Sequence, residues 1–217
     1  MTVLPLTKTP IAHLQIEPGS VVKIPNLSWS EFETLLDEWG EKRAARIIYF
    51  QETLEIMVPL PEHEKAKNVI NAIIEILLRK AQQNYESFGS TTFRKLGVVG
   101  LEPDACFYIT NAARMLDRLE LEANDPPPDL AIEIDVTSRT SLEAYAALGV
   151  PELWIYDSQG LKIYLLENNS YKERDRSPFF PNLPLREMIA ETIKQSWKIG
   201  YSQAIKEFEN IILSESE

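Results

Sequence analysis

The run Asp129-Leu130-Ala131-Ile132-Glu133-Ile134-Asp135-Val136 decides the fold. Side chains alternate faces along a strand, so Leu130, Ile132, Ile134 and Val136 form one uninterrupted apolar face. Asp129, Ala131, Glu133 and Asp135 form the other, with three acids and no cation. A solvent-washed strand usually mixes Lys, Thr and Ser with its acids. Clustered carboxylates repel one another and shift their pKa values upward. A bound divalent cation removes that penalty.

Upstream, Asp104 opens a second strand-like run, Asp104–Ile109, directly after Pro103. If the two strands pair, Asp104 meets Glu133 near one end of the sheet. Hard cations such as Mg²⁺ take oxygen ligands, often one or two carboxylates with phosphate and water. The pair is therefore a candidate metal clamp. The strand alone also fits a solvated face whose acids pair with Arg94 or Lys95.

Further out, Ser90–Lys95 reads as a strand, and Pro126-Pro127-Pro128 precedes the acidic strand. Thr140–Leu148 reads as a short helix stopped by Gly149. Glu152–Tyr156 and Leu161–Leu166 are strands around Ser158-Gln159-Gly160, and the helix serves as crossover for the parallel pair. Before this core, Pro59 and Pro61 introduce a helix with Ala66, Val69, Ile70, Ile73, Ile74, Leu77 and Ala81 at helical spacing. Ala45–Phe50 and Thr53–Val58 form a hairpin over Gln51-Glu52, whose turn residues are not the favoured ones. Ser28-Trp29-Ser30-Glu31 is a capping box opening a helix that Gly40 ends. Residues 1–27, punctuated by four prolines, read as an extended arm, and helices from about Leu185 and about Ser202 close the chain. The class is α/β (α+β): one domain over 1–217, a central mixed sheet flanked by helices with a core at about 62–166, and an extra N-terminal helix and hairpin.

Composition narrows the function. The 217 residues carry 44% apolar and 25% charged side chains, enough for one core. Cys106 is the single cysteine, which excludes an internal disulfide and a zinc finger. No phosphate loop and no serine elbow near His13 or His63 is present. The start lacks a signal-peptide pattern and no apolar run reaches membrane length, so the expectation is a cytoplasmic protein without a membrane partner. The net charge of −11 opposes a polyanion at long range. A nucleic-acid enzyme with this charge needs local basic residues or divalent ions at its carboxylates. A glycosidase also uses paired carboxylates, but no aromatic sugar platform surrounds these acids. Tyr145, Trp154 and Tyr156 read as packing residues.

The pieces EIMVPLPEHEKAKNVI, GSTTFRK, LEPDACFYI, PPPDLAIEIDVTSRT and YAALGVPELWIYD occur in that order. Together they resemble the Uma-two family of restriction-endonuclease-like proteins, a branch of the PD-(D/E)XK nuclease superfamily, over roughly residues 28–195. The resemblance implies a restriction-endonuclease-like core of helix, three strands, helix and strand. It implies a Mg²⁺- or Mn²⁺-dependent endonuclease acting on DNA, with Asp104 and Glu133 as metal ligands. Glu64 on the first core helix would assist, with Glu62 as runner-up, and His63 would contact substrate. It also suggests a homodimer. The superfamily lysine two residues after the second acid is replaced here by Asp135, which becomes a helper acid. The basic role then passes to Arg139, within Thr137-Ser138-Arg139-Thr140 towards the following helix, or to Lys95. The alternative is a nuclease fold kept as a non-catalytic nucleic-acid-binding or interaction module.

Overall fold

The computed structural model describes residues 16–40, 45–122, 124–134 and 139–214, with the backbone but not the side chains of 139–141. Strand β1 (Val21–Pro25) begins the described chain, followed by α1 (Trp29–Trp39), β2 (Arg46–Phe50), β3 (Thr53–Met57) and α2 (Pro61–Lys80). Then come β4 (Glu86–Ser87), β5 (Phe93–Lys95), β6 (Val99–Leu101), β7 (Ala105–Tyr108), α3 (Ala112–Met115), β8 (Leu130–Ile134) and α4 (Arg139–Leu148). Strands β9 (Glu152–Asp157), β10 (Gly160–Glu167) and β11 (Ser170–Arg174) precede α5 (Leu185–Ile199) and α6 (Tyr201–Ser214). No helix among the described residues is long and apolar enough to cross a membrane.

The chain rules written in the sequence set the local structure. Ser28 caps α1: its Oγ accepts from the Glu31 N–H at 3.3 Å, and the Glu31 carboxylate accepts from the Ser28 N–H at 2.8 Å. Pro61 occupies the first turn of α2, where no N–H is needed, with Glu62 and Glu64 beside it and Arg79 and Lys80 at the far end. The β2–β3 hairpin turns at Gln51 (φ 48°) and Glu52 (φ 56°), both left-handed. Two side chains pay for a conformation that Asn-Gly adopts more cheaply.

Two sheets result. The central one runs β11-β10-β9-β8-β7-β4, with β8 and β9 parallel across the α4 crossover and every other neighbour antiparallel. The second runs β1-β3-β2-β6-β5, all antiparallel. The mixed sheet expected from the sequence is present, with two differences. The strand expected over Ser90–Lys95 shrinks to β5 and joins the second sheet, and the two-residue β4 takes the place beside β7. Residues 21–25 of the expected arm pair with β3.

The central sheet is buried on both faces. On one side Leu130, Ile132 and Ile134 pack against Ile70, Ile73 and Ile74 of α2 and against Ile189 and Ile193 of α5. On the other, Ala131, Cys106 and Leu153 pack against Ala144 and Tyr145 of α4 and against Val99 and Leu101 of the second sheet. The reading of the acidic strand face as solvated therefore fails: α4 and the second sheet cover it. Gly100 lets this layer close, because a Cβ there would lie 2.5 Å from the Phe32 ring of α1. Cys106 lies in this core with its thiol pKa pushed up by burial.

Glu152, at the start of β9, is buried and accepts from the Trp154 indole N–H at 2.6 Å. Burial lifts its pKa to about 7. Its folded pKa thus lies above the unfolded value, so its contribution is complete below pH 4.5 and is lost as pH rises towards 7. Urea unfolding of wild type and Glu152→Gln at pH 4.5 and pH 7.5 should diverge. The wild type loses up to about 3 kcal/mol relative to the variant across that window, and parallel pH profiles would contradict the assignment.

Candidate functional site

The antiparallel register of β7 on β8 builds the site. Ala105 faces Ile132 and Cys106 faces Ala131, so one residue further Asp104 lies opposite Glu133, and opposite residues share a face. Both acids are 4% exposed. Asp104 Oδ2 accepts from the Ile134 backbone N–H at 2.8 Å. Tyr145 of α4 donates its hydroxyl to Glu133 Oε1. The two carboxyls are hydrogen-bonded to each other, with Glu133 as the donor.

Burial dominates the electrostatics. It raises the Asp104 pKa against the opposing pull of the Ile134 N–H, Arg46, the Glu133 hydrogen bond and Lys67. It raises Glu133 well above the usual carboxylate range, and the neighbouring Asp104 charge adds to the effect. Two carboxylates held this close cannot both ionise cheaply, so the pair holds a proton on Glu133. Tyr145 is pushed well up by burial and by Glu133, which keeps its hydroxyl a donor.

Two cations face the pair. Arg46 of β2 places Nε 3.6 Å from Asp104 Oδ1 and Nη2 3.9 Å from Glu64 Oε1. Lys67 of α2 is ion-paired with Glu64 and acts on Asp104 by its charge. The structure thus gathers Asp104, Glu133 and, through Arg46, Glu64.

Other expected site residues lie elsewhere or beyond description. Lys95, at the end of β5, donates to the Ala147 carbonyl at 2.9 Å at the C-terminal end of α4. It borders a groove of roughly 710 Å³ that Phe50, Val98, Leu142 and Tyr171 also line and that neither acid of the pair reaches. Asp135 lies outside the described residues, and of Arg139 the structure gives the backbone at the head of α4. His63 is partly buried in the first turn of α2, its backbone N–H on the Leu60 carbonyl at 3.0 Å. Asp129 shares the face of Glu133 but serves the fold. It accepts from the Ile109 and Asn111 N–H groups at 2.8 and 2.9 Å and from Asn111 Nδ2 at 2.7 Å.

Sequence reasoning did not pick out Arg46, Lys67 and Tyr145 for the site. Tyr145 was read as packing, and packing it is, yet its hydroxyl reaches Glu133. A tyrosine on the buried face of the helix that follows an acidic strand was the available signal.

The family model described as "Putative restriction endonuclease", Uma2, matches residues 29–195. The chain belongs to the Uma2 family. Among solved structures, the Uma2 chain resembles a protein of Anabaena variabilis ATCC 29413 titled a putative nuclease belonging to DUF820. The two are 18% identical, with a TM-score of 0.55 over 82% of this chain and 99% of that one. At that identity the likeness establishes a shared fold. No curated protein matches the chain. Family and fold together support a nuclease role for this Uma2 protein.

The acid pair has a measurable cost. Glu133 has its folded pKa above the unfolded value, so its contribution is complete at low pH and falls as pH rises. Glu133→Gln keeps the shape and both hydrogen bonds while removing the ionisable group. In thermal melts without divalent ions the variant should be the more stable protein at pH 8, with the higher Tm. At pH 4.5 the two should converge. A variant less stable than wild type at pH 8 would contradict the buried-pair account.

Proposed function

We propose that this protein is a metal-dependent endonuclease of the PD-(D/E)XK type that hydrolyses phosphodiester bonds in DNA. The observation that carries the reading is the buried pair of Asp104 and Glu133, opposite one another on adjacent strands, where burial and the Asp104 charge favour a proton on Glu133. Such a pair gains by exchanging that proton for a divalent cation, which relieves both desolvation and mutual repulsion. The donor set is all oxygen, which fits Mg²⁺ or Mn²⁺ rather than a soft metal. Among the described residues no cluster of three or more His, Cys, Asp or Glu is present. Two carboxylates with water and substrate phosphate suffice for Mg²⁺.

Asp104 and Glu133 would hold the ion, which when bound supplies Lewis-acid stabilisation of charge on the phosphate and lowers the pKa of the attacking water. The residues do the rest. The Ile134 N–H fixes Asp104, and Tyr145 fixes Glu133, so neither carboxyl must reorganise. Water oxygen adds to phosphorus and the bond to the leaving sugar oxygen breaks. The leaving oxygen takes a proton from solvent, and the proton lost by water returns to solvent.

The acidic composition is consistent with this chemistry, since counter-ions at the carboxylates offset local repulsion of the phosphate. Asp135 in the lysine position favours a second reading, in which the fold binds nucleic acid without turnover.

Supercoiled plasmid incubated with protein and Mn²⁺ separates the two. Wild type should nick it, and Asp104→Ala or Glu133→Ala should reduce the rate at least about 100-fold, the scale of losing a principal electrostatic group. Isothermal titration with Mn²⁺ should show binding to wild type and none to Asp104→Ala. Equal nicking by wild type and Asp104→Ala would place the chemistry elsewhere. Asp104-dependent Mn²⁺ binding without nicking would favour the second reading.

A further inference from the structure

We propose that Arg46, on the N-terminal hairpin, is the site's phosphate-contacting cation, filling the role that Asp135 leaves vacant. The inference rests on the metal-dependent reading above and names the residue that grips the substrate there.

The argument starts from unspent hydrogen bonds. A guanidinium carries five N–H donors in a rigid fork. The Arg46 side chain is 16% exposed, yet among the described residues its buried Nε–H has no hydrogen-bond partner. Its approaches to Asp104 and Glu64, at 3.6 and 3.9 Å, are ion-pair distances and too long for hydrogen bonds. Leaving a buried charged donor unmatched is costly. Among the described residues Arg46 is therefore held at the acid pair by ion-pair contacts, with its Nε–H uncommitted. An anion offering two adjacent oxygens, as a phosphodiester does, completes it.

The other candidate cations are placed less well. Lys95, in the second sheet, is committed to the Ala147 carbonyl of α4. Lys67 is bound to Glu64 from its own helix. Arg46 reaches the pair from β2, whose partner β3 leads into α2. The hairpin is thus part of the active site as well as a cover for it.

Charge also explains why Arg46 sits on Asp104 before substrate arrives. Asp104 holding a divalent cation would attract the guanidinium less, and the Arg46 fork would then be free to meet the non-bridging oxygens of the phosphate. Metal and Arg46 compete for one carboxylate, so removing Arg46 should tighten metal binding while weakening substrate binding. A merely structural arginine would lower both.

Three measurements on full-length wild type, Arg46→Met and Arg46→Lys test this. Isothermal titration should give Mn²⁺ affinity in Arg46→Met tighter than wild type by up to about tenfold, the change of one nearby charge. Fluorescence anisotropy of a labelled DNA duplex with Ca²⁺ should show binding weakened about tenfold or more, the scale of a lost charge-assisted contact. Nicking with Mn²⁺ should fall about 100-fold, with Arg46→Lys intermediate in binding and rate because it keeps charge and loses the fork. Arg46→Met that binds DNA like wild type overturns the proposal. So does Arg46→Met, or the better-tolerated Arg46→Lys, losing Mn²⁺ binding along with DNA binding, since that marks a structural role. Asp104→Ala distinguishes the two levels. If it nicks normally while Arg46→Met does not bind DNA, the metal assignment falls and the phosphate contact stands.

Discussion

Two carboxyl groups buried side by side are the constraint on which the rest of the site depends. A carboxylate taken out of water loses several kcal/mol of solvation even after relaxation, and two of them add mutual repulsion. Every group around Asp104 and Glu133 offsets part of that cost. The Ile134 N–H and the Tyr145 hydroxyl donate, Arg46 and Lys67 supply positive charge, and one proton stays on Glu133. A chain selected for stability alone would place apolar residues here. A buried acid pair with this much support is the usual mark of a functional site.

The layering follows from the same constraint. An acidic strand face can be buried only if the covering layer brings donors and cations, and the cover here is α4 with the β2–β6 part of the second sheet. Tyr145 comes from the first and Arg46 from the second. The opposite face of the central sheet needs none of this. It is closed by Ile, Leu and Val of α2 and by the apolar sides of α5 and α6. The asymmetry between the faces of β8, written as alternating Ile and acid, is thereby matched by two unlike covers.

Much of this was legible in the sequence where the signal was periodic or local. Alternation in 129–136, the capping box at Ser28 and the 3.6-residue spacing in α2 each fixed an element. Proline before Asp104 marked where a strand starts opposite Glu133. What was not legible depended on partners distant along the chain. A strand pattern does not say which sheet it joins, so Ser90–Lys95 was expected beside Asp104–Ile109, and Lys95 near the acids. Strands β4 and β6 are too short to show a period, and Gly100 in β6 makes sense only beside Phe32. The burial of Glu152 was not legible either, because nothing in its own segment reports a strand buried on both sides.

Arg46 is the clearest such case. Within its own segment, Arg-Ile-Ile-Tyr-Phe, it is an ordinary edge-of-core position of a hairpin strand, partly exposed between buried neighbours. Its meaning depends on β2 lying against β6 in the layer that faces Asp104. The superfamily lysine sits two residues from its acid and can be found by spacing. A cation that has moved to another element keeps the charge at the site but erases the spacing. On the proposed reading the departure at Asp135 would be less a loss of chemistry than a relocation. An acid at that position would repel a phosphate, unless divalent ions and a guanidinium on a neighbouring layer set the local sign. The net charge of −11 poses the same problem for the whole molecule. On the proposed reading, attraction for a polyanion would in both cases be conditional on bound metal, because only then would the Asp104 carboxylate release Arg46 to the phosphate.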